Sequence, residues 1–341
     1  MRNSRVLKAN FSLVACVGLV VLCSVGPVRA DAIADCNQGR NLELRVRGCT
    51  EVIGSAAATP EQKGVAYRHR GLARASAGAR DQAIADLNEA IRLNGSDVAA
   101  YTGRAHVQLA RGENDAAIAD FSAAIVLSPR STTALTGRGH AYVVKGLPDL
   151  AIADLTEVIR LSPRSASAYN HRGVAWRRKG ELQKAIDDYT AALMLNPIYA
   201  LAYNNRGYVY EAKGQKAEAI ADFQKALLLD PSLVGAVDGL KRLGAVHGWA
   251  QESDRLIAEG KELAEKNCLS CHAVGTAGAS PNAKAPEFRG LAEQHAVLAL
   301  REPLTRGIAA PHDEMPNFAL PDADVDKIIA YINSLTRKPA R

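Results

Sequence analysis

A four-residue pattern, Ala-Ile-x-Asp, recurs along this chain at one constant spacing. Proline follows it in phase in four of the five copies, and an Arg-Gly or Arg-Ala pair precedes every copy. Proline ends a helix, and small residues let two helices approach closely. The pattern therefore predicts pairs of helices that stack on one another, since one pair alone cannot bury its apolar face. The copies begin at Ala83, Ala117, Ala151, Ala185 and Ala219.

The repeat resembles the tetratricopeptide repeat (TPR), whose period of about 34 residues, small residues, aromatic positions and proline it matches. The resemblance covers about residues 31–244: a TPR-like N-terminal cap at 31–64, then five repeats and a closing helix at 65–244. It implies an all-α fold, a TPR α-solenoid with a groove for a protein or peptide ligand. A composition rich in alanine and leucine and only 5% aromatic agrees with helices. We place a linker at 245–253 and a second domain at 254–341.

Two cysteines of the cap keep the phase of the repeat. Cys36 precedes Arg70, and Cys49 precedes Ala83, by one full period. These two positions face each other across the two helices of a repeat, so we predict a disulfide between Cys36 and Cys49. The alternative is a pair of free thiols.

Two ladders of polar residues run along the repeats. Arginines on the first helices recur with aspartates on the second helices, which predicts ion pairs between helices rather than a basic stripe for a ligand. A second ladder of histidines predicts solvated or hydrogen-bonded rings, with a metal site as the alternative. The arginines are Arg70, Arg104, Arg138, Arg172 and Arg206; the aspartates are Asp86, Asp120, Asp154, Asp188 and Asp222; the histidines are His69, His106, His140 and His171.

Residues 1–30 have the features of an export signal. A basic start precedes an apolar stretch at 11–22, and Val28 and Ala30 supply the small residues of a cleavage site. Cleavage after Ala30 lowers the net charge from +6 to +2, because the segment carries four basic residues and no acidic one. We therefore expect a periplasmic protein that binds no nucleic acid and is not stably inserted in a membrane. A retained membrane anchor is the alternative.

The strongest chemical motif is Cys268-Leu269-Ser270-Cys271-His272. Two thiols three positions apart can bond covalently to both vinyl groups of haem, while the histidine that follows reaches the iron. A zinc site, a thioredoxin-like redox pair and a simple disulfide are the alternatives. Zinc needs four ligands, and no second cysteine pair is left to supply them.

The surroundings of this motif resemble a class I cytochrome c over about 254–341. Gly260 matches the small residue at which the N-terminal helix of that family crosses its C-terminal helix. Ala264 replaces the usual aromatic residue, and Ile328 and Tyr331 match the partner face in a helix at 323–335. The resemblance also makes Pro286, or its rival Pro281, the proline that orients the proximal histidine, and Phe288 a haem-packing residue.

The sixth ligand of the iron follows from the methionine count. Met1 leaves with the signal and Met194 lies in a repeat, which leaves Met315, in a Met-Pro pair like that of the family's axial-ligand loop. His312 and His295 are the fallback ligands. Iron held by His272 and Met315 has no open position, so the sequence predicts electron transfer by one covalent haem c rather than enzymatic catalysis.

The sequence therefore predicts a periplasmic electron carrier whose TPR array docks a protein partner, a periplasmic redox protein or dehydrogenase. Two alternatives remain. One is an assembly or sensing scaffold that carries a haem, and the other is the electron-transfer subunit of a periplasmic dehydrogenase complex.

Overall fold

The computed structural model describes residues 29–39, 41–269, 272–275, 279–281, 287–288, 304–305 and 319–335. Every helix or strand assigned in this part of the chain is an α-helix, which confirms the all-α prediction. None of these helices combines the length and the apolar character that crossing a membrane requires. The helices are α1 (Ala30–Asn37), α2 (Leu42–Gly54), α3 (Pro60–Ser76), α4 (Arg80–Leu93), α5 (Val98–Ala110), α6 (Asn114–Leu127), α7 (Thr132–Val144), α8 (Pro148–Leu161), α9 (Ala166–Lys179), α10 (Leu182–Leu195), α11 (Ala200–Ala212), α12 (Lys216–Leu229), α13 (Val234–Arg242), α14 (Val246–Cys268) and α15 (Asp322–Ser334).

The chain divides into two compact units, one ending at Gly95 and one beginning at Ser96. In the first unit, helices α1 and α2 form the cap, and the sulfur atoms of Cys36 and Cys49 lie 2.06 Å apart, at bonding distance, as predicted. Both cysteines are buried in a small apolar cluster with Val52 and Ala66. The cross-link therefore lies inside the core of the cap.

In the second unit, small residues of the first helices admit aromatic rings from the second helices. A Cβ atom added at Gly137 would lie 2.3 Å from Cζ of Phe121, and one added at Gly173 would lie 2.7 Å from Cε1 of Tyr189. Phe121 and Tyr189 are fully buried. The small and aromatic residues therefore recur in the sequence because this packing contact recurs along the repeats.

The polar ladder forms ion pairs between paired helices, as predicted. Nε of Arg138 donates to Asp154 at 2.8 Å, and its Nη2 donates to the other carboxylate oxygen at 2.8 Å. The same two-pronged contact recurs in the other repeats of both units. The Asp154 and Arg138 side chains are 10% and 20% exposed. The arginines of this ladder therefore form ion pairs between helices and do not form a basic stripe for a ligand.

The segment that we predicted as a linker, 245–253, is helical from Val246 onward and belongs to the 23-residue helix α14. The reason is apolar contact. Val246 and Trp249 pack against the cluster that contains Leu240 of the closing helix α13. The solenoid and the C-terminal domain are therefore joined by a continuous helix and not by an irregular connection.

Replacing Asp154 with Asn should destabilise the solenoid by about 1–3 kcal/mol, because the half-buried Arg138 guanidinium loses its carboxylate partner. Urea unfolding followed by far-UV circular dichroism measures the change. The matched control is Glu157→Gln in the same helix, which removes the exposed pair between Glu157 and Arg160 and should leave the unfolding midpoint unchanged. Equal effects of the two substitutions would contradict a stabilising role for the buried ladder.

Candidate functional site

The chemical motif begins at the end of α14. Cys268 is the last residue of the helix and is 7% exposed. The backbone N–H of His272 donates to the carbonyl oxygen of Cys268 at 2.9 Å. This hydrogen bond holds His272, whose imidazole is buried, close to the helix end that carries the cysteine.

An aromatic ring and a hydroxyl group hold the segment that follows the histidine. The rings of His272 and Phe288 have centroids 5.4 Å apart and planes inclined by 56°. The backbone N–H of Phe288 donates to Ala273, whose own N–H donates to Oγ of Ser280 at 3.0 Å. Phe288 therefore packs beside His272, and its predicted contact with a haem stays a prediction.

The crossing of α14 and α15 fixes the other side of the site. A Cβ atom added at Gly260 would lie 2.0 Å from the carbonyl oxygen of Lys327 and 3.0 Å from Cβ of Tyr331. Gly260 thus makes the close helix crossing that we predicted. Ala264 is fully buried and Ile328 is 1% exposed, so these residues at the crossing are shielded from solvent.

Tyr331 adds a contact that the sequence did not reveal. Its hydroxyl donates to the carbonyl oxygen of Val274 at 2.6 Å, 57 residues earlier in the chain. Burial, and secondarily the charge of Glu265, raises the pKa of Tyr331, so the hydroxyl stays protonated and able to donate. Val274 lies two residues after His272, and the contact therefore ties the histidine segment to the last helix.

Several predicted site residues lie outside the described part of the chain. Of the predicted attachment and ligand residues, the structure describes and brings together Cys268 and His272. The rival proline, Pro281, lies at an exposed bend. Those outside the described residues are Cys271, Met315, Pro286, His295 and His312.

The histidine ladder divides between the two units. In the first unit, Nδ1 of His69 lies 3.2 Å from the carbonyl oxygen of Cys36, a hydrogen bond of the predicted kind. In the second unit, His106, His140 and His171 line one cavity. Burial lowers the pKa of His106 and of His140, and the neighbouring rings of His171 and His106 lower that of His140 further.

Comparison with known proteins agrees with both halves of the chain. The family model for cytochrome c matches residues 257–336. A relative, cytochrome c-552 of Bradyrhizobium diazoefficiens, is 36% identical over 76 residues, which are 22% of this chain and 71% of that protein. The chain belongs to the cytochrome c family. Its cytochrome c domain binds haem c covalently, and the protein is a haem electron carrier that also contains TPR repeats.

The TPR half matches tetratricopeptide repeat models and solved TPR structures. The crystal structure of YrrB, a TPR protein with an unusual peptide-binding site, is 21% identical and covers 57% of this chain and 99% of its own, with a TM-score of 0.45. The Cut9–Hcn1 hetero-tetramer structure of the APC/C is 22% identical and covers 57% of this chain and 39% of its own, with a TM-score of 0.51. The latter likeness supports the solenoid fold. The family models match residues 69–132, 136–197 and 200–233.

The residues at the end of α14 fit a covalently held haem. A buried imidazole and a buried thiol lie at the same helix end, and the apolar side chains of Val274, Phe288 and Leu304 belong to the same cluster as the thiol. Imidazole is an iron ligand, and a cysteine sulfur forms the thioether bond. An apolar surrounding also suits the macrocycle.

Replacing Gly260 with Ala should destabilise the cytochrome domain by about 1–3 kcal/mol, because the new methyl group overlaps the carbonyl of Lys327. Thermal unfolding followed by the haem absorbance measures the effect. Gly248→Ala in the same helix is the control, since nothing lies within 4 Å of its added Cβ. That control should gain about 0.5–1 kcal/mol from its better helix propensity. A Gly260→Ala protein as stable as the control would show that the helices do not cross here.

Proposed function

We propose that this protein carries single electrons in the periplasm through one haem c attached to Cys268 and Cys271, with His272 and Met315 as the axial ligands. The observation that carries the proposal is the buried His272 imidazole, placed beside Cys268 and Phe288 in a cytochrome c domain. When bound, the haem supplies a one-electron couple of its iron. His272 and Met315 would together hold the iron and leave no position there for a small molecule, so the group would supply one-electron transfer.

The chain's own residues keep this centre rigid. The Gly260 crossing and the hydrogen bond from Tyr331 to Val274 hold the His272 segment between two helices. Phe288 covers one flank of the imidazole and helps to exclude water. A rigid segment around the iron ligand lowers the reorganisation energy of electron transfer, because fewer atoms move when the oxidation state changes. We therefore assign these residues to positioning.

We further propose that the TPR array docks a protein partner, a periplasmic redox protein or dehydrogenase, close to the haem. Two contacts within the second unit support this. Helix α14 packs on the solenoid at Trp249 and ends at Cys268. In addition, Nζ of Lys225 in α12 pairs with the carboxylate of Asp326 in α15, and both side chains are partly buried. A partner held by the repeats is then held at a defined distance from the haem.

Export of the chain is part of the proposal. The basic and apolar segment at the N-terminus, the Cys36–Cys49 pair and covalent haem attachment all suit an oxidising compartment outside the cytoplasm. We place the mature protein in the periplasm, after cleavage behind Ala30.

Replacing Met315 with Ala should abolish the methionine-to-iron band of the oxidised protein while leaving the haem covalently bound. Met194, which is 80% exposed in a repeat helix, supplies the control Met194→Ala. The variant Met315→His should restore a six-coordinate spectrum at a lower reduction potential, because a methionine ligand raises the potential. An unchanged band in Met315→Ala would exclude this residue as the ligand, and a chain without covalent haem would refute the proposed function.

The docking role predicts a difference in reduction kinetics between the full chain and a fragment of residues 246–341. The cytochrome c-552 relative indicates that this domain can exist without a solenoid. Ascorbate should reduce the haem of both proteins at the same rate. A native donor in a periplasmic fraction should reduce the fragment about 100-fold more slowly at low donor concentration, because docking raises the local concentration. Equal rates with the native donor would argue against docking by the repeats.

A further inference from the structure

A cavity of about 370 Å³ lies between helices α5, α7 and α9 of the second unit. Three histidines reach it, one from each helix: His106, His140 and His171. His106 and His140 lie one full period apart and so take the same position in successive repeats. His171 lies three residues before the equivalent position in the next repeat, which is one helical turn away on the same face. The repeat geometry thus places three imidazoles around one cavity.

Two of these rings already lie close together. The centroids of His140 and His171 are 6.0 Å apart, and the ring planes are inclined by 62°. His106 and His140 are accessible to solvent although partly desolvated, and His171 is half-buried, so an ion from solution can reach the rings. His106 packs edge-on against Phe121, with centroids 5.0 Å apart, which limits where its ring can point.

The backbone fixes the tautomer of one histidine. Nδ1 of His171 lies 2.7 Å from the carbonyl oxygen of Ser167. Because a carbonyl oxygen only accepts hydrogen bonds, Nδ1 carries the proton and Nε2 of the neutral ring carries the lone pair. Metal-binding histidines use this arrangement, in which a backbone carbonyl holds one ring nitrogen and the other faces the ion.

The remaining lining residues narrow the class of ligand. Among the described residues around the cavity, none is Lys, Arg, Asp or Glu. An anion site would be expected to use Arg or Lys, and a calcium or magnesium site would be expected to use carboxylates. Imidazole nitrogens prefer zinc, copper and nickel, and hydroxyl groups can hold the waters that complete the coordination. The hydroxyl groups belong to Thr132, Thr133, Thr136, Ser162 and Ser165.

We propose that His106, His140 and His171 bind one divalent transition-metal ion, of the zinc or copper(II) class, in this cavity of the solenoid. The site is separate from the haem centre, because none of its three histidines belongs to the haem motif or to the predicted axial ligands. Binding of the ion would require all three imidazoles and the spacing between the helices α5, α7 and α9 that carry them. Side-chain hydrogen bonds between successive repeats help to hold that spacing: Arg138 donates to Oγ of Ser122 at 3.1 Å, and Arg172 donates to Oγ1 of Thr156 at 3.2 Å.

The test uses the full-length holoprotein without a polyhistidine tag, stripped with a chelator and titrated with zinc chloride in a calorimeter. We expect one zinc ion per chain. The single variants His140→Gln and His171→Gln should each weaken binding by about 10–100-fold, a loss typical of impaired metal sites, and the double variant should abolish it. His247→Gln, at an exposed position of α14, is the matched control and should bind zinc as the wild type does.

A second measurement does not depend on the variants. Copper(II) bound to the wild-type protein should show hyperfine coupling to at least two histidine nitrogens in its electron paramagnetic resonance spectrum. Fewer than two such nitrogens would overturn the proposal, as would zinc binding of unchanged stoichiometry and affinity in the double variant. Far-UV circular dichroism and the haem absorbance confirm that each variant is folded, and loss of zinc binding with both signals intact supports the site.

Discussion

The structure depends on one kind of contact. One helix carries a glycine where it meets its neighbour, and an atom of the neighbouring helix occupies the space that a side chain would take. In the solenoid, the ring of Phe121 occupies the space that a Cβ of Gly137 would take, and the ring of Tyr189 does the same at Gly173. In the cytochrome domain, the backbone carbonyl of Lys327 occupies this space at Gly260. Close-packed interiors cannot absorb an added methyl group at such points without moving a helix. The two domains therefore share a packing rule, although their folds differ.

The repeats also contain charged side chains in their interior. In each repeat, an arginine of the first helix lies over a tyrosine and reaches the aspartate of the second helix. Arg172 lies over Tyr169 at 5.6 Å and forms two hydrogen bonds with Asp188. A buried pair is weak evidence for net stability, since desolvation offsets the attraction. Its geometric value is greater, because a forked guanidinium fixes the relative position of the two helices.

The periodicity of the sequence predicted the repeated helix pairs, and local motifs predicted features that depend on a few neighbouring residues. The helix pairs, the Cys36–Cys49 pair and the Gly260 crossing follow from spacing or from a resemblance carried by single residues. Contacts between distant segments were not predictable in this way. The Lys225–Asp326 pair joins residues 101 positions apart, and the Tyr331–Val274 hydrogen bond depends on where a loop passes the last helix. The helical form of the segment 245–253 was also not predicted, for a related reason. The repeat ends before Val246, and the loss of period suggested a break, but a chain can leave a periodic array and remain helical as long as apolar residues such as Trp249 find a surface.

The helical connection has a consequence for electron transfer. A flexible linker would give a docked partner a broad range of distances to the haem, and its benefit would be that of raised concentration alone. A 23-residue helix that begins against the closing helix and ends at Cys268 leaves little such freedom, and the Lys225–Asp326 pair adds a second point of attachment. With two attachments, rotation of the cytochrome domain about the axis of α14 would have to break a partly buried ion pair. The solenoid therefore orients the cytochrome domain, and a partner docked on the repeats as we propose would meet that domain in one defined orientation.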